Sequence, residues 1–320
     1  MKFLLTIIQA VGLGCASAAA GRRVLHYLQL ESYQLPGYVK SVRRNAMRAL
    51  IPPIAMAAVG VAALRLSGLT GLALLLEALT AALLVWQAAK EKAKKPFVAT
   101  ERVKRLLAVH AAVNTVLALA LLTVSPVLGY LMPAFEPALL MLAALIAAPM
   151  EKHIAGQFIK DAQARLAAQP GLIKIGITGS YGKTSTKFLL RDILSVKYNV
   201  LATPSSFNTP MGVTRVIREQ LTPAHQVFIA EMGARHVGDI RELVELVHPQ
   251  MGLITSVGPQ HLDTFGTIER VRDTKYELIE GLPKDGTAVF ARDGAICEAL
   301  FERCPLERKY KPGMLVDAKN

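Results

Sequence analysis

Apolar residues are spread unevenly along the chain. Before Pro149 they gather in five long runs, about 3–20, 50–66, 69–89, 106–124 and 127–150, separated by short polar segments. Each approaches the ~20 apolar residues with which a helix crosses a bilayer core. Ser67-Gly68 and Ser125-Pro126 read as the turns of two helical hairpins. From 151 to 170 charged and apolar residues mix at helical spacing, which predicts a linker helix ending before Pro170. Beyond it, short β-branched runs at 173–178, 200–202, 226–231, 252–256 and 287–291 alternate with helical patterns at 187–196, 213–220, 240–247 and 268–281. Such alternation predicts a mostly parallel sheet with helices on both faces and a ligand site at the carboxyl ends of the strands. The expected fold is therefore an α-helical membrane bundle over residues 1–150, a linker over 151–170, and an α/β P-loop domain over 171–320.

The net charge of +13 suggests nucleic acid until it is located. Residues 1–150 hold 15 Lys and Arg against 5 acidic side chains, whereas 151–320 hold 22 against 19. The excess sits in two loops between apolar runs, one with Arg22, Arg23, Lys40, Arg43, Arg44 and Arg48, the other with Lys90, Lys92, Lys94, Lys95, Arg102, Lys104 and Arg105. Lys and Arg in short loops orient membrane helices, so the charge predicts a lipid bilayer as partner and no nucleic acid. The first run also resembles a secretory signal, with Lys2 before it and Ala16-Ser17-Ala18 behind. Keeping it uncleaved puts both basic loops and the P-loop domain on the side where ATP is found. Within the runs, Glu77 is the ionisable group to explain, with Arg65 a candidate partner; His110 and Asn114, four apart, share a helix face. For all of these a polar contact within the bundle is the competing reading. Cys15 reads as a small buried hydrophobe, and Cys297 and Cys304 lack metal-ligand spacing.

The chemistry begins at residues 172–185, L-I-K-I-G-I-T-G-S-Y-G-K-T-S. A β-branched run meets a glycine loop and then a helical pattern, the strand, loop and helix that cradle phosphate with backbone N–H groups. Gly179, Ser180, Tyr181, Gly182, Lys183, Thr184 and Ser185 are the candidate nucleotide-binding residues, Lys183 reaching the β- and γ-phosphates and Thr184 a Mg²⁺ ion. The strict G-x-x-x-x-G-K-[ST] pattern fails at one position, where Ile177 stands. Three more candidates lie at or beyond strand ends: Glu231 in E-M-G-A-R-H-V-G-D-I, His261 in H-L-D-T-F-G-T, and Lys275 in R-V-R-D-T-K-Y-E. A carboxylate and an imidazole beside a phosphate loop suit Mg²⁺, because phosphoryl transfer rests on metal charge and positioning. Taken singly, Glu231 also suits a helix cap, His261 a loop hydrogen bond and Lys275 a solvated surface.

Together, in order and spacing, these segments resemble the Mur ligase family of peptidoglycan synthesis, nearest the type that adds D-alanyl-D-alanine to a UDP-MurNAc-tripeptide. The likeness covers residues 173–293. It implies an ATP-dependent carboxylate–amine ligase working through an acyl phosphate, with ATP and Mg²⁺ as cofactors. Lys183 would bind phosphates, Thr184 and Glu231 one Mg²⁺, and His261 a second. Lys275 matches a lysine that many members carbamylate, so Lys183, His261 and Lys275 are the implied catalytic residues. Asn208, Thr209, Arg235 and His236 would touch substrate, and Asp293 the adenine. Ser206 and Thr209 depart from the asparagines usual in the substrate loop, and Ala291 from the asparagine usual before Asp293. The implied partners are an amino-acid or dipeptide amine, a carboxylate acceptor such as UDP-MurNAc-peptide, and a second subunit in place of the family's third domain. The implied location is the bacterial cytoplasmic membrane, multi-pass, with the ATP-binding domain cytoplasmic. A poly-γ-glutamate synthase-like ligase and a non-catalytic ATP-binding subunit stay open beside this reading.

Overall fold

The computed structural model describes residues 2–91, 96–205, 207–292 and 294–312, which form two compact units, Met1–His153 and Ile154–Asn320. The first is wholly helical: α1 Lys2–Ala20, α2 Arg22–Leu30, α3 Leu35–Arg44, α4 Ala46–Ser67, α5 Thr70–Lys90, α6 Glu101–Val124, α7 Pro126–Leu131, a 3₁₀ turn Met132–Phe135, and α8 Glu136–Ala167, which runs on into the second unit. Lys2–Ala20, Ala46–Ser67, Thr70–Lys90, Glu101–Val124 and the stretch Pro126–Ala167 are long and apolar enough to cross a membrane, by length and composition only. Gly68 ends α4 with φ +67°, a left-handed turn that glycine adopts at no steric cost, and Thr100 caps α6 through a bond from the Val103 amide.

Polar groups inside this unit follow hydrogen-bonding rules that the sequence did not disclose. Asn114 and His110 both turn to Glu136: Asn114 Nδ2 donates to its Oε2 at 3.3 Å, and His110 Nε2 lies 2.9 Å from its Oε1. Ser17 Oγ donates to the same carboxylate at 2.7 Å. The expected Arg65–Glu77 pair does not form. Arg65 is exposed, while Glu77 is fully buried and neither of its oxygens has a hydrogen-bond partner among the described residues. Cys15 is exposed rather than buried, because it falls on the outer side of α1.

The second unit carries a six-stranded parallel sheet in the order β2-β3-β1-β4-β5-β6. Its strands are β1 Ile173–Thr178, β2 Val200–Ala202, β3 Val227–Glu231, β4 Met251–Ile254, β5 Thr287–Phe290 and β6 Arg308–Tyr310. The helices between them are α9 Lys183–Leu194, α10 Pro210–Gln220, α11 Asp239–Val247, α12 Leu262–Phe265, α13 Ile268–Glu280 and α14 Gly294–Arg303. Register pairs Ile175 with Ile229 and Ile177 with Glu231, so alternate side chains feed two cores. Ile175, Ile177, Val227 and Ile229 pack with Leu190 and Leu194 of α9; Phe228, Ala230 and Ile254 join the larger core under α11 and α13. Gly176 and Gly252 let α13 approach closely, since a Cβ on Gly176 would stand 2.7 Å from Leu278 Cδ1. Chain order reverses around central β1, and in an open parallel sheet such a reversal puts the ligand site beyond the carboxyl ends of the strands beside it, here β3, β1 and β4.

Candidate active site

The loop after β1 is held in shape by the segment after β4. Ser180 N donates to Ser256 O at 2.8 Å, Tyr181 N to Ser256 Oγ at 2.8 Å, and Thr255 Oγ1 to Tyr181 O at 2.6 Å. The Ser180 hydroxyl both donates to Gly258 O and accepts from Gly258 N, each at 2.9 Å. Gly179 has φ +152°, and a Cβ there would clash with Thr255 Oγ1 and stand 2.9 Å from Ser256 N. Gly182, at φ +81°, turns the chain into α9. The first N–H groups of this 12-residue helix have no intrahelical acceptor and lie with the positive end of the dipole at the carboxyl end of β1. Lys183 Nζ folds back over the loop and donates to Gly179 O at 2.6 Å, and burial lowers its pKa while Glu231 opposes the shift. Ser185 is exposed at the helix start.

Glu231, the last residue of β3, is 1% exposed and collects three side-chain donors. Thr184 Oγ1 and Lys187 Nζ each donate to its Oε2 at 2.9 Å, and Asn208 Nδ2 to its Oε1 at 3.0 Å. Its own amide donates to Thr203 Oγ1 at 3.1 Å. Lys187 is fully buried and carries no motif signal beyond its place one turn after Lys183, in a segment that the sequence marks only as helical.

Lys275 projects from α13 and is 2% exposed. Burial first, and the positive charge of Lys183 second, push its pKa down from 10.5 to about 7. His261, at φ +54° on the turn into α12, has its pKa lowered by burial and then by Arg235, with Lys275 and Lys183 adding smaller contributions. The loops after β1, β3 and β4 and helix α13 thus bring Lys183, Arg235 and Lys275 within electrostatic reach of His261.

Other expected substrate contacts have different partners in this structure. Thr209 caps α10, accepting from Gly212 N at 3.3 Å, and Asn208 is committed to Glu231. The backbone amides of Arg235 and His236 donate to Asp239 Oδ2 at 2.7 and 2.9 Å, which fixes their loop. Asp293 and Ser206 lie outside the described residues.

Among the described residues no cluster of three His, Cys, Asp or Glu could hold a metal unaided. The donor set still suits Mg²⁺. That ion keeps several waters and takes one or two protein oxygens beside substrate phosphates, and the Thr184 hydroxyl and Glu231 carboxylate are oxygen donors 2.9 Å apart at the loop.

Comparison with known proteins follows the same boundary. Residues 177–311 match the Mur ligase middle domain. The UDP-N-acetylmuramoyl-tripeptide–D-alanyl-D-alanine ligase of Mycobacterium bovis is 40% identical over 130 residues, covering 41% of this chain and 25% of the relative. The ligase of that name from Escherichia coli K12 is 30% identical over 158 residues, covering 47% and 35%. The crystal structure of MurF ligase from Thermotoga maritima in complex with ADP is 30% identical and covers 49% of this chain and 35% of that one, with a TM-score of 0.44. The chain therefore spans between a quarter and about a third of the length of these relatives. They also correct the expected location in the cytoplasmic membrane: the matching relatives are cytoplasmic enzymes. Length and hydropathy measure what a helix can cross, not where it resides, so the five apolar helices do not by themselves place the chain. The segment similar to the Mur ligase middle domain, residues 177–311, thus contains the Lys183 helix start, Glu231, His261 and Lys275 of the second unit's parallel-sheet domain.

Proposed function

We propose that this chain carries the ATP site of a Mur-type carboxylate–amine ligase whose acceptor is a UDP-MurNAc-peptide and whose amine is D-alanyl-D-alanine. The observation that carries this reading is the convergence of the Lys183 loop, the Thr184–Glu231 contact and the buried Lys275 beside His261. Joining a carboxylate to an amine requires an oxygen to leave, and hydroxide is a poor leaving group. A carboxylate oxygen attacks the γ-phosphorus, the bond to the bridging oxygen breaks, and ADP departs with that electron pair. The amine then adds to the acyl phosphate carbon, loses a proton and expels phosphate.

The residues divide this work by position. Lys183, held over the loop carbonyls, exchanges those acceptors for phosphate oxygens, and the α9 terminus binds the same group. Thr184 and Glu231 would hold Mg²⁺, whose charge offsets that of the phosphates. His261 is biased toward its neutral form, as a metal ligand requires. Lys275, with a pKa near 7, offers the neutral amine that carbamylation by CO₂ needs. The test supplies ATP, Mg²⁺ and each acceptor with and without D-alanyl-D-alanine, and follows ADP, amide product and ¹⁸O passage from the acceptor carboxylate into phosphate. ADP release that depends on a carboxylate, with ¹⁸O in the phosphate, is expected. Nucleotide binding without carboxylate-dependent turnover for any acceptor, poly-γ-glutamate included, would refute the ligase reading.

A further inference from the structure

The buried cation beside Glu231 is left unused by this reading. Lys187 lies on the inner face of α9, fully buried, with Nζ 2.9 Å from Glu231 Oε2 and 2.6 Å from Ser205 O. Its ammonium also stands 4.5 Å from the centre of the Phe188 ring. The pair is expensive to build. Desolvating two charges commonly costs as much as their attraction returns, so an apolar pair of similar shape would serve stability as well or better. A pair of this kind is better explained by what it positions.

Two things are positioned. Glu231 Oε2 is shared between Thr184 and Lys187, so the carboxylate is fixed toward the nucleotide end of α9. The Ser205 carbonyl, in the loop between β2 and α10, is tied to the same ammonium, while Asn208 of that loop reaches Glu231 Oε1. We propose that Lys187 is a positioning residue whose ammonium locks Glu231, Ser205 and Asn208 into one unit, so that a divalent cation engages Glu231 against a fixed positive charge and Ser205 and Asn208 move only with the carboxylate. This rests on the nucleotide reading above. It goes further by assigning a built-in counter-cation that weakens metal affinity at the Thr184–Glu231 oxygens in exchange for order in the loop.

Removing the charge while keeping the shape separates this role from simple support of the fold. Lys187→Met and Lys187→Gln in the 320-residue chain should bind Mn²⁺ in the presence of ADP at least tenfold more tightly than the parent, read by electron paramagnetic resonance of free Mn²⁺. The amides of Ser205, Phe207, Asn208 and Thr209 should exchange with deuterium faster in both variants, and Lys187→Arg should restore the parent values in part. A merely structural lysine predicts the opposite sign, with metal affinity reduced as the site is damaged. Unchanged or weaker Mn²⁺ binding in both variants, with parental binding intact, overturns the role of Lys187 alone. Absence of nucleotide-dependent Mn²⁺ binding in the parent overturns the ATP-site reading and this inference with it.

Discussion

Lys275 offers the sharpest test of the site's electrostatics, because its environment has a definite cost. It is 2% exposed, and among the described residues its ammonium makes no hydrogen bond or ion pair. Its pKa falls from 10.5 to about 7. An unfolded chain binds a proton at this lysine below about pH 10.5, whereas the folded chain does so only below about 7. Between those values the unfolded state holds more protons, so stability attributable to this group rises with pH. The cost is fully present below pH 7 and gone above 10.5. At 1.36 kcal/mol per pKa unit, the ceiling is about 5 kcal/mol, and local relaxation brings the expected value to about 2–3 kcal/mol. Lys275→Met keeps the aliphatic stem and removes the charge. It should stabilise the second unit by that amount below pH 7 and by almost nothing near pH 10. Urea-dependent proteolysis, read by mass spectrometry on peptides from residues 172–311, isolates this unit from the helical one. A variant no more stable than the parent below pH 7 would show that the ammonium has a partner, and would remove the argument for a neutral, CO₂-reactive amine.

Two further outcomes test the loop. Lys183→Ala should weaken ADP and ATP binding by about 1.5–3 kcal/mol, roughly 10- to 150-fold by isothermal titration calorimetry, and should raise the pKa of Lys275 by less than burial lowers it. Equal affinity in parent and variant would mean that the helix terminus alone holds the phosphates. Gly179→Ala should abolish nucleotide binding while leaving the parallel sheet intact by circular dichroism, since its Cβ would force Thr255 and Ser256 off the loop they hold. Retained affinity would show that the stapled loop geometry is dispensable.

Much of this architecture is readable along the chain because it follows from local periodicity. Apolar runs of helical length mark α1, α4, α5 and α6, and β-branched runs mark β1 to β5 within a residue or two, since the side chains that must be buried repeat with the period of the backbone. The glycine loop is legible for the same reason, because Gly179 and Gly182 occupy backbone conformations that few other residues tolerate. Partnership across the fold is not local and could not be read. Arg65 and Glu77 are near in sequence pattern but one faces outward, while Asn114 and Ser17 meet at Glu136, a residue with no periodic signal. Lys187 reads as an ordinary helical lysine until β3 brings Glu231 beneath it, and nothing in the spacing around Thr209 shows that its hydroxyl also caps α10. Sequence spacing fixes which face of an element a side chain occupies. Only the packing of β1, β3, β4 and α13 decides which charge lies opposite, and with it which lysine has its pKa pushed down by burial and which is held by a carboxylate.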